Sequence, residues 1–214
     1  MNQEQIARLE AENGFRQLSQ GVEIIKYYLE AGRPFALRPG IILELQKIAV
    51  EGIERNPGEW RKTNVAIHKS AHQPPGPHLV EALILEMCEY VNDNLHTRTA
   101  FHLAAYVMWR HNWIHPFAEG NGRTSRVLSY IVLSICTRSL LPGTPTIPEQ
   151  IQQNRAGYFE ALEAADRVFL ETGEIDVSVM ETLLMHMLSK QLMSVINEAG
   201  GKVMDDDDGE HLSA

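Results

Sequence analysis

The sequence predicts an all-α fold, a helical bundle carrying one short β-hairpin flap. Apolar residues recur at a spacing close to 3.6 along most of the chain, the period of one helix face. Proline and glycine clusters separate these stretches, and an apolar–polar alternation stands out in one place, residues 62 to 73.

Residues 3 to 31 put Ile6, Leu9, Phe15, Leu18, Val22, Ile25 and Leu29 on a helical stripe. Gly14 and Gly21 interrupt it, and glycine weakens a helix interior, so two pieces with a break near Asn13 and Gly14 are expected. "PGIILELQKIAVEGI" follows Pro39 as a second helix, and "PHLVEALILEMCEYVNDN" starts a third after "QPPGP", where proline suits the first helical turn. "TRTAFHLAAYVMWRHNWI" has almost no polar face and should be central. It stops at Pro116, because a residue before proline is driven out of the α region, and His115 is thereby set at a helix exit. A fifth helix begins inside "GNGRTSRVLSYIVLSICTRSL", and two more, "PEQIQQNRAGYFEALEAADRVF" and "DVSVMETLLMHMLSKQLMSVINEA", are divided by "ETGEI". In "KTNVAIHKSAHQ", Val65 and Ile67 alternate with polar neighbours, the mark of a hairpin. The tail from Gly200, with its four consecutive aspartates, has little to pack and should be disordered.

The chain's 214 residues, 44% of them hydrophobic and 22% charged, have the composition of one ordered domain. With 28 acidic residues against 19 basic ones, the net charge of -9 repels polyanions, and no basic face offsets it, which excludes nucleic acid as the expected partner. Cys88 and Cys136 lie in apolar helical patterns, as small hydrophobes and not a disulfide framework. The N-terminus has no basic-then-apolar leader, and no stretch approaches the roughly 18 apolar residues of a membrane span. A cytoplasmic protein without membrane partners is expected, export by a dedicated secretion machine staying open.

One stretch, "HPFAEGNGRTSR" at residues 115 to 126, concentrates chemistry. Gly120 and Gly122 flank Asn121 just before a helix, and glycine lets successive backbone N–H groups converge on one point. The helix start adds unpaired N–H groups and a positive dipole end, completing an anion cradle. Arg123 and Arg126 share one helix face near its first turn, a pairing suited to more than one phosphate. Glu119 would oppose such an anion unless a cation lay between them, and Mg2+ held by one carboxylate plus phosphate oxygens resolves the conflict. His115, at the edge of this positive site, should stay neutral and able to accept a proton, as a general base does. Phe117 should anchor the loop in the core.

These residues resemble the signature of the Fic (filamentation induced by cAMP) family, H-P-F-x-[D/E]-G-N-G-R-x-x-R, at every defined position. The organisation is similar from about residue 60 to 190, through the flap, the QPPGP entry and "NRAGYFEALEAAD". The resemblance implies a Fic fold and transfer of AMP from ATP to a Ser, Thr or Tyr hydroxyl of a target protein. It implies that His115 deprotonates the hydroxyl and Glu119 holds Mg2+ on the α- and β-phosphates. Gly120, Asn121 and Gly122 would cradle those phosphates, and Arg123 and Arg126 would grip the β- and γ-phosphates. The flap, Thr63, Asn64, Val65, Ala66, Ile67 and His68, would hold the target by adding a strand to it, with Lys62, Lys69 and His72 shaping preference.

Many Fic proteins resemble one another in an inhibitory [S/T]-x-x-x-E-[G/N] helix whose glutamate competes with the γ-phosphate for the second arginine, here Arg126. "RLEAENG" supplies Glu12-Asn13 with Arg8 in place of Ser or Thr, and "SVINEAG" supplies Ser194 and Glu198 with Ala199 in place of Gly or Asn. Glu12 is the favoured candidate, with Glu10 beside it. The chain divides into N-terminal helices at 1–59, where an inhibitory role through Glu12 is expected, a catalytic core at 60–199 in the same domain, and the tail at 200–214. The same site would serve AMP removal, transfer of another phosphate-containing group, or a regulator that binds nucleotide without turnover; an intact His115 argues against the last. His111 reads as structural, since no H-E-x-x-H accompanies it. The long apolar helices also leave room for a homo-oligomer.

Overall fold

The computed structural model describes residues 1–68 and 70–200, so that Lys69 and the acidic tail beyond Gly200 lie outside the described residues. Within them the chain is helical and has no strand: α1 (Gln3–Leu29), α2 (Pro39–Ala49), α3 (Val80–Asn94), α4 (Ala100–Ile114), α5 (Asn121–Cys136), α6 (Ile147–Gln153), α7 (Ala156–Thr172) and α8 (Ser178–Glu198). A single 3-10 turn, Pro77–Leu79, leads into α3.

The expected break in the first helix is absent. α1 runs unbroken through Gly14, since one interior glycine costs only about 1 kcal/mol and tertiary bonds on either side outweigh it. Asn13, fully buried, donates to the Glu51 carbonyl at 2.8 Å, and Gln17 donates to the Leu45 carbonyl at 3.0 Å. Gly21 does a different job: a Cβ there would stand 2.8 Å from Val127 Cγ1, so the missing side chain is what lets α1 lie against α5. At its start Asn2 and Gln5 cap one another reciprocally.

α4 and α5 form the centre and pack most extensively on each other; α3, α7 and α8 cover α4, and α1 and α2 cover α5. α4 buries nearly its whole circumference, Leu103 to His111 included, as its lack of a polar face predicts. Thr99 caps its N-terminus by accepting from His102 N. The His102 ring contacts Tyr90 of α3 at 2.8 Å and Glu181 of α8 at 2.9 Å, fastening α4 to both neighbours. The corner between α4 and α5, residues 115 to 120, therefore stands on the two most extensively packed helices.

The stretch expected to form a β-hairpin is an irregular arm. Among the described residues of 62 to 75 no ladder forms, and the internal bonds are short-range ones, Ser70 N to the Ile67 carbonyl and His72 N to Ser70 Oγ. Its remaining anchors reach across to the end of α4, so alternation alone misjudged where the arm finds its partners. Cys88 and Cys136 are free thiols, their pKa values pushed up by burial to about 12 and about 11. Among the described residues no helix is long and apolar enough to cross a membrane.

Candidate active site

The site is built on the exit of α4. His115 is the C-cap residue, in the left-handed region at φ 50°, ψ 60°, a conformation that costs a non-glycine residue about 1–2 kcal/mol. Its N–H bonds the His111 carbonyl at 2.9 Å, and its ring Nδ1 lies 3.3 Å from the Asn112 carbonyl. A carbonyl can only accept, so Nδ1 carries the hydrogen and Nε2 keeps its lone pair. Burial, aided by the positive Arg61 and by His72, lowers the His115 pKa to about 4 against the opposing pull of the Asn112 carbonyl. The sequence expects a neutral His115 kept so by the motif arginines, a metal and the helix start; here burial is the largest cause, with Arg61 and His72 as the neighbours that add to it.

After His115 the loop folds inward. Phe117 is completely buried, 4.9 Å from the Trp60 ring and 5.9 Å from the His111 ring, a burial worth about 1.5–3 kcal/mol. Asn121 closes the loop with a reciprocal pair, accepting from Phe117 N and donating to the Phe117 carbonyl, both at 2.9 Å. The Asn121 side chain thus holds the loop, which leaves its backbone N–H for the cradle expected of this stretch. Gly120 has φ 84°, and a Cβ there would be 2.8 Å from Val50 Cγ1, so both conformation and space demand glycine. α5 begins with no side-chain cap, and its first intrahelical bond of this turn runs from Thr124 N to the Gly120 carbonyl. The N–H groups of Asn121, Gly122 and Arg123 precede that bond and are the orphan donors of a helix start.

Arg126 is buried beneath this turn: a Cβ on Gly122 would meet its Nη1 at 3.3 Å. Burial and the neighbouring Arg155 and Arg123 lower its pKa while Tyr158 opposes them, yet a guanidinium stays charged in a protein. No carboxylate among the described residues forms an ion pair with it, so the positive charge awaits an anion. Arg123 is spoken for: Nη1 donates to the Ala49 carbonyl at 2.8 Å, and Nη2 lies 3.2 Å from the Glu10 carboxylate. Glu12, the favoured inhibitory residue, instead pairs with Arg8 at 2.9 Å on the exposed face of α1. Helical geometry explains the exchange, since Glu10 and Glu12 are two residues apart and point to different faces of the continuous α1. A cavity of about 270 Å³ between α1 and α6 opens onto Arg123 and Arg126.

Glu119 is exposed, and its side chain forms no ion pair among the described residues, while its carbonyl accepts from Gln46 Nε2 at 3.1 Å. Gln46 Oε1 in turn accepts from Gly58 N at 2.6 Å, so this buried side chain fixes the loop's outer edge. The described residues hold no cluster of metal-ligating side chains. One free carboxylate beside a phosphate cradle fits a hard cation that arrives with phosphate oxygens, and does not fit a protein-caged one.

Sequence reasoning missed several contributors. Arg61, lone in "EWRKTN", is buried and donates from Nε to the His115 carbonyl at 2.7 Å. Asn112 donates to Ser125 Oγ at 2.8 Å and to Tyr158 Oη at 2.9 Å, joining α4, α5 and α7 behind the cradle. A cavity of about 380 Å³ beside His115 is lined by Ile67 and His68 of the arm, Asn112, and Phe159, Leu162 and Asp166 of α7. Of the arm's expected target contacts, Ile67 and His68 reach this cavity, whereas Thr63 lines a separate groove with Arg61 and Lys62. No signal in a single sequence marks a buried arginine or glutamine as a loop-holder.

Comparison with known proteins agrees with this geometry. The model of the Fic/DOC family matches residues 36–133. A protein adenylyltransferase Fic of Drosophila persimilis is 30% identical over 151 residues, 68% of this chain and 28% of that protein. The protein adenylyltransferase Fic of Aedes aegypti is 32% identical over 112 residues, 51% of this chain and 20% of its own length. The chain thus spans about a quarter of the length of these curated relatives. A crystal structure of a Fic domain containing signaling protein from Bacteroides thetaiotaomicron has TM-score 0.69 at 20% identity, covering 90% of this chain and 74% of that one, which shows the fold. With the whole signature seated at the α4–α5 corner of that fold, the chain belongs to the Fic/DOC family.

Proposed function

We propose that the protein transfers AMP from ATP to a hydroxyl of a target protein. The observation that carries this reading is the free Nε2 of a half-buried, neutral His115 at the mouth of an uncapped helix start that also holds Arg126, with which no carboxylate among the described residues pairs. A module that only bound phosphate would need the second half of that arrangement and not the first. The adenylyltransferase names of the relatives point the same way.

The acceptor hydroxyl of Ser, Thr or Tyr gives its proton to His115 Nε2 as its oxygen attacks the α-phosphorus. An O–P bond to the acceptor forms, the bond between the α-phosphorus and the bridging oxygen breaks, and pyrophosphate leaves with that electron pair. The α5 N–H groups and Arg126 meet the phosphate charge in positions set before substrate arrives, which is how such sites lower a barrier. Glu119 would hold Mg2+ against the phosphates, where the ion supplies charge neutralisation. The 380 Å³ cavity suits a nucleoside: Phe159 and Leu162 offer apolar faces and Asp166 an acceptor for an exocyclic amine. The arm at 62 to 75 borders it and would present the target segment.

Restraint of this activity is assigned to Glu10, whose carboxylate lies on Arg123 where a phosphate would bind. The test of the reading is label transfer from α- and γ-labelled ATP to protein in a cell lysate, by wild type, Glu10→Ala and Glu10→Ala/His115→Ala. Label from the α position alone, lost with His115 while ATP still binds, is expected. Label from the γ position, or α-label that survives His115→Ala, would refute the mechanism.

A further inference from the structure

The last carbonyls of a helix need partners, and those of α4 find them in an unusual set. The Asn112 carbonyl is taken by His115 Nδ1, and the Trp113 carbonyl by His72 Nε2 at 2.8 Å. Arg61 takes the next ones, with Nη2 to the Ile114 carbonyl at 3.3 Å, Nε to the His115 carbonyl at 2.7 Å, and its own backbone N–H to the Pro116 carbonyl at 2.9 Å. The same guanidinium donates from Nη1 to the Thr63 carbonyl at 3.0 Å and from Nη2 to the Pro75 carbonyl. It is buried, and no carboxylate among the described residues pairs with it.

A charged side chain buried without a counter-ion is costly, and here backbone carbonyls and the negative end of α4 take the counter-ion's place. Every bond it makes goes to one of two things: the backbone that carries His115, or the two ends of the arm. Thr63 and Pro75 are the points where the arm leaves and rejoins the body, so one guanidinium closes the arm's base and fixes the carbonyl of the strained His115. Lysine cannot substitute for this, because a single ammonium lacks the planar fork that reaches several carbonyls in different directions.

We infer that Arg61 is a positioning residue that couples the target-holding arm to the His115 base. Aligning the base and closing the arm are then one structural event. The inference rests on the proposed transfer reaction for its kinetic consequence, but its structural half stands apart from it.

The test uses the full chain with Arg61→Lys and Arg61→Gln. Both variants should keep the far-UV circular dichroism of the wild type and bind a non-hydrolysable ATP analogue within about twofold, since Arg61 does not touch the cradle; misplacing a base by about 1 Å costs about 100-fold, so kcat with a protein acceptor should fall between about tenfold and 100-fold. Hydrogen exchange of backbone amides in 62 to 75 should quicken, and the imidazole nitrogen resonances of His115 should lose the single Nδ1–H tautomer. These two readouts need no turnover, so a wild type that transfers no AMP would refute the proposed function while leaving Arg61 testable. Unchanged exchange and an unchanged His115 spectrum in folded variants would overturn the assignment. Loss of native dichroism in both variants would make Arg61 a folding residue and overturn it equally.

Discussion

Replacing His111 by leucine should both stabilise the protein and flatten its response to acid. His111 is completely buried one helical turn before His115, and neither ring nitrogen has a hydrogen-bond partner among the described residues. Burial, with a smaller push from His115, lowers its pKa from 6.5 to about 3. The unfolded chain therefore takes up a proton at pH 6.5 that the folded chain refuses until about pH 3, so stability present above pH 6.5 is lost as pH falls through that window. One such proton is worth about 1.4 kcal/mol per pH unit, so His111 alone removes about 2 kcal/mol between about pH 7.5 and about pH 5. His115, with its pKa lowered to about 4, adds a loss of the same sign and similar size over that interval. His111→Leu should cut the combined loss by about half, and by removing an unsatisfied polar ring should gain about 1–3 kcal/mol at neutral pH. Urea unfolding of both proteins at about pH 7.5, 6 and 5 reads these terms, because carboxylates common to both cancel in the difference. Parallel stability profiles, or a leucine variant less stable at neutral pH, would show that the ring is hydrogen-bonded or protonated in the fold.

The remaining expectations concern the cradle and its restraint. Gly120→Ala forces a Cβ into the left-handed region and against Val50; strain of about 1–2 kcal/mol plus overpacking of about 1–3 kcal/mol should lower stability by about 2–5 kcal/mol and abolish nucleotide binding. A urea midpoint and nucleotide affinity equal to wild type would refute that placement of the loop. Glu10→Ala should raise the transfer rate about fivefold, the scale of a half-exposed ion pair worth up to about 1 kcal/mol, whereas Glu12→Gly should change it less than twofold. The reverse ranking in the label-transfer assay would return the restraint to Glu12.

The helices were legible because their burial is periodic: α4 shows an apolar circumference and α5 starts where the glycines of the motif stand. The motif was legible because its residues are adjacent in sequence as well as in space. Misreadings arose wherever distant residues decide. The bond from Asn13 to the Glu51 carbonyl spans 38 positions and helps keep α1 whole past Gly14, and no local propensity encodes it. Val65 and Ile67 alternate as strand residues do, yet the backbone around them is committed to α4 through Arg61 and His72. Which glutamate of α1 lies against Arg123 likewise depends on the face of α1 that meets α5, a rotation that sequence leaves undetermined and that the contact of Gly21 with Val127 fixes.

The α4–α5 corner also divides the molecule into two territories. Phosphate-facing groups draw their support from α1, α2 and α5, through Glu10, Gln46 and Ala49. The side that carries the His115 ring draws on the arm, through Arg61 and His72. The two are joined along His115 to Asn121 and, behind the cradle, through Asn112, Ser125 and Tyr158. A lineage can therefore rewrite the outer part of the arm while the α5 helix start stays untouched, and one short corner carries the burden of keeping the old site aligned with new clientele.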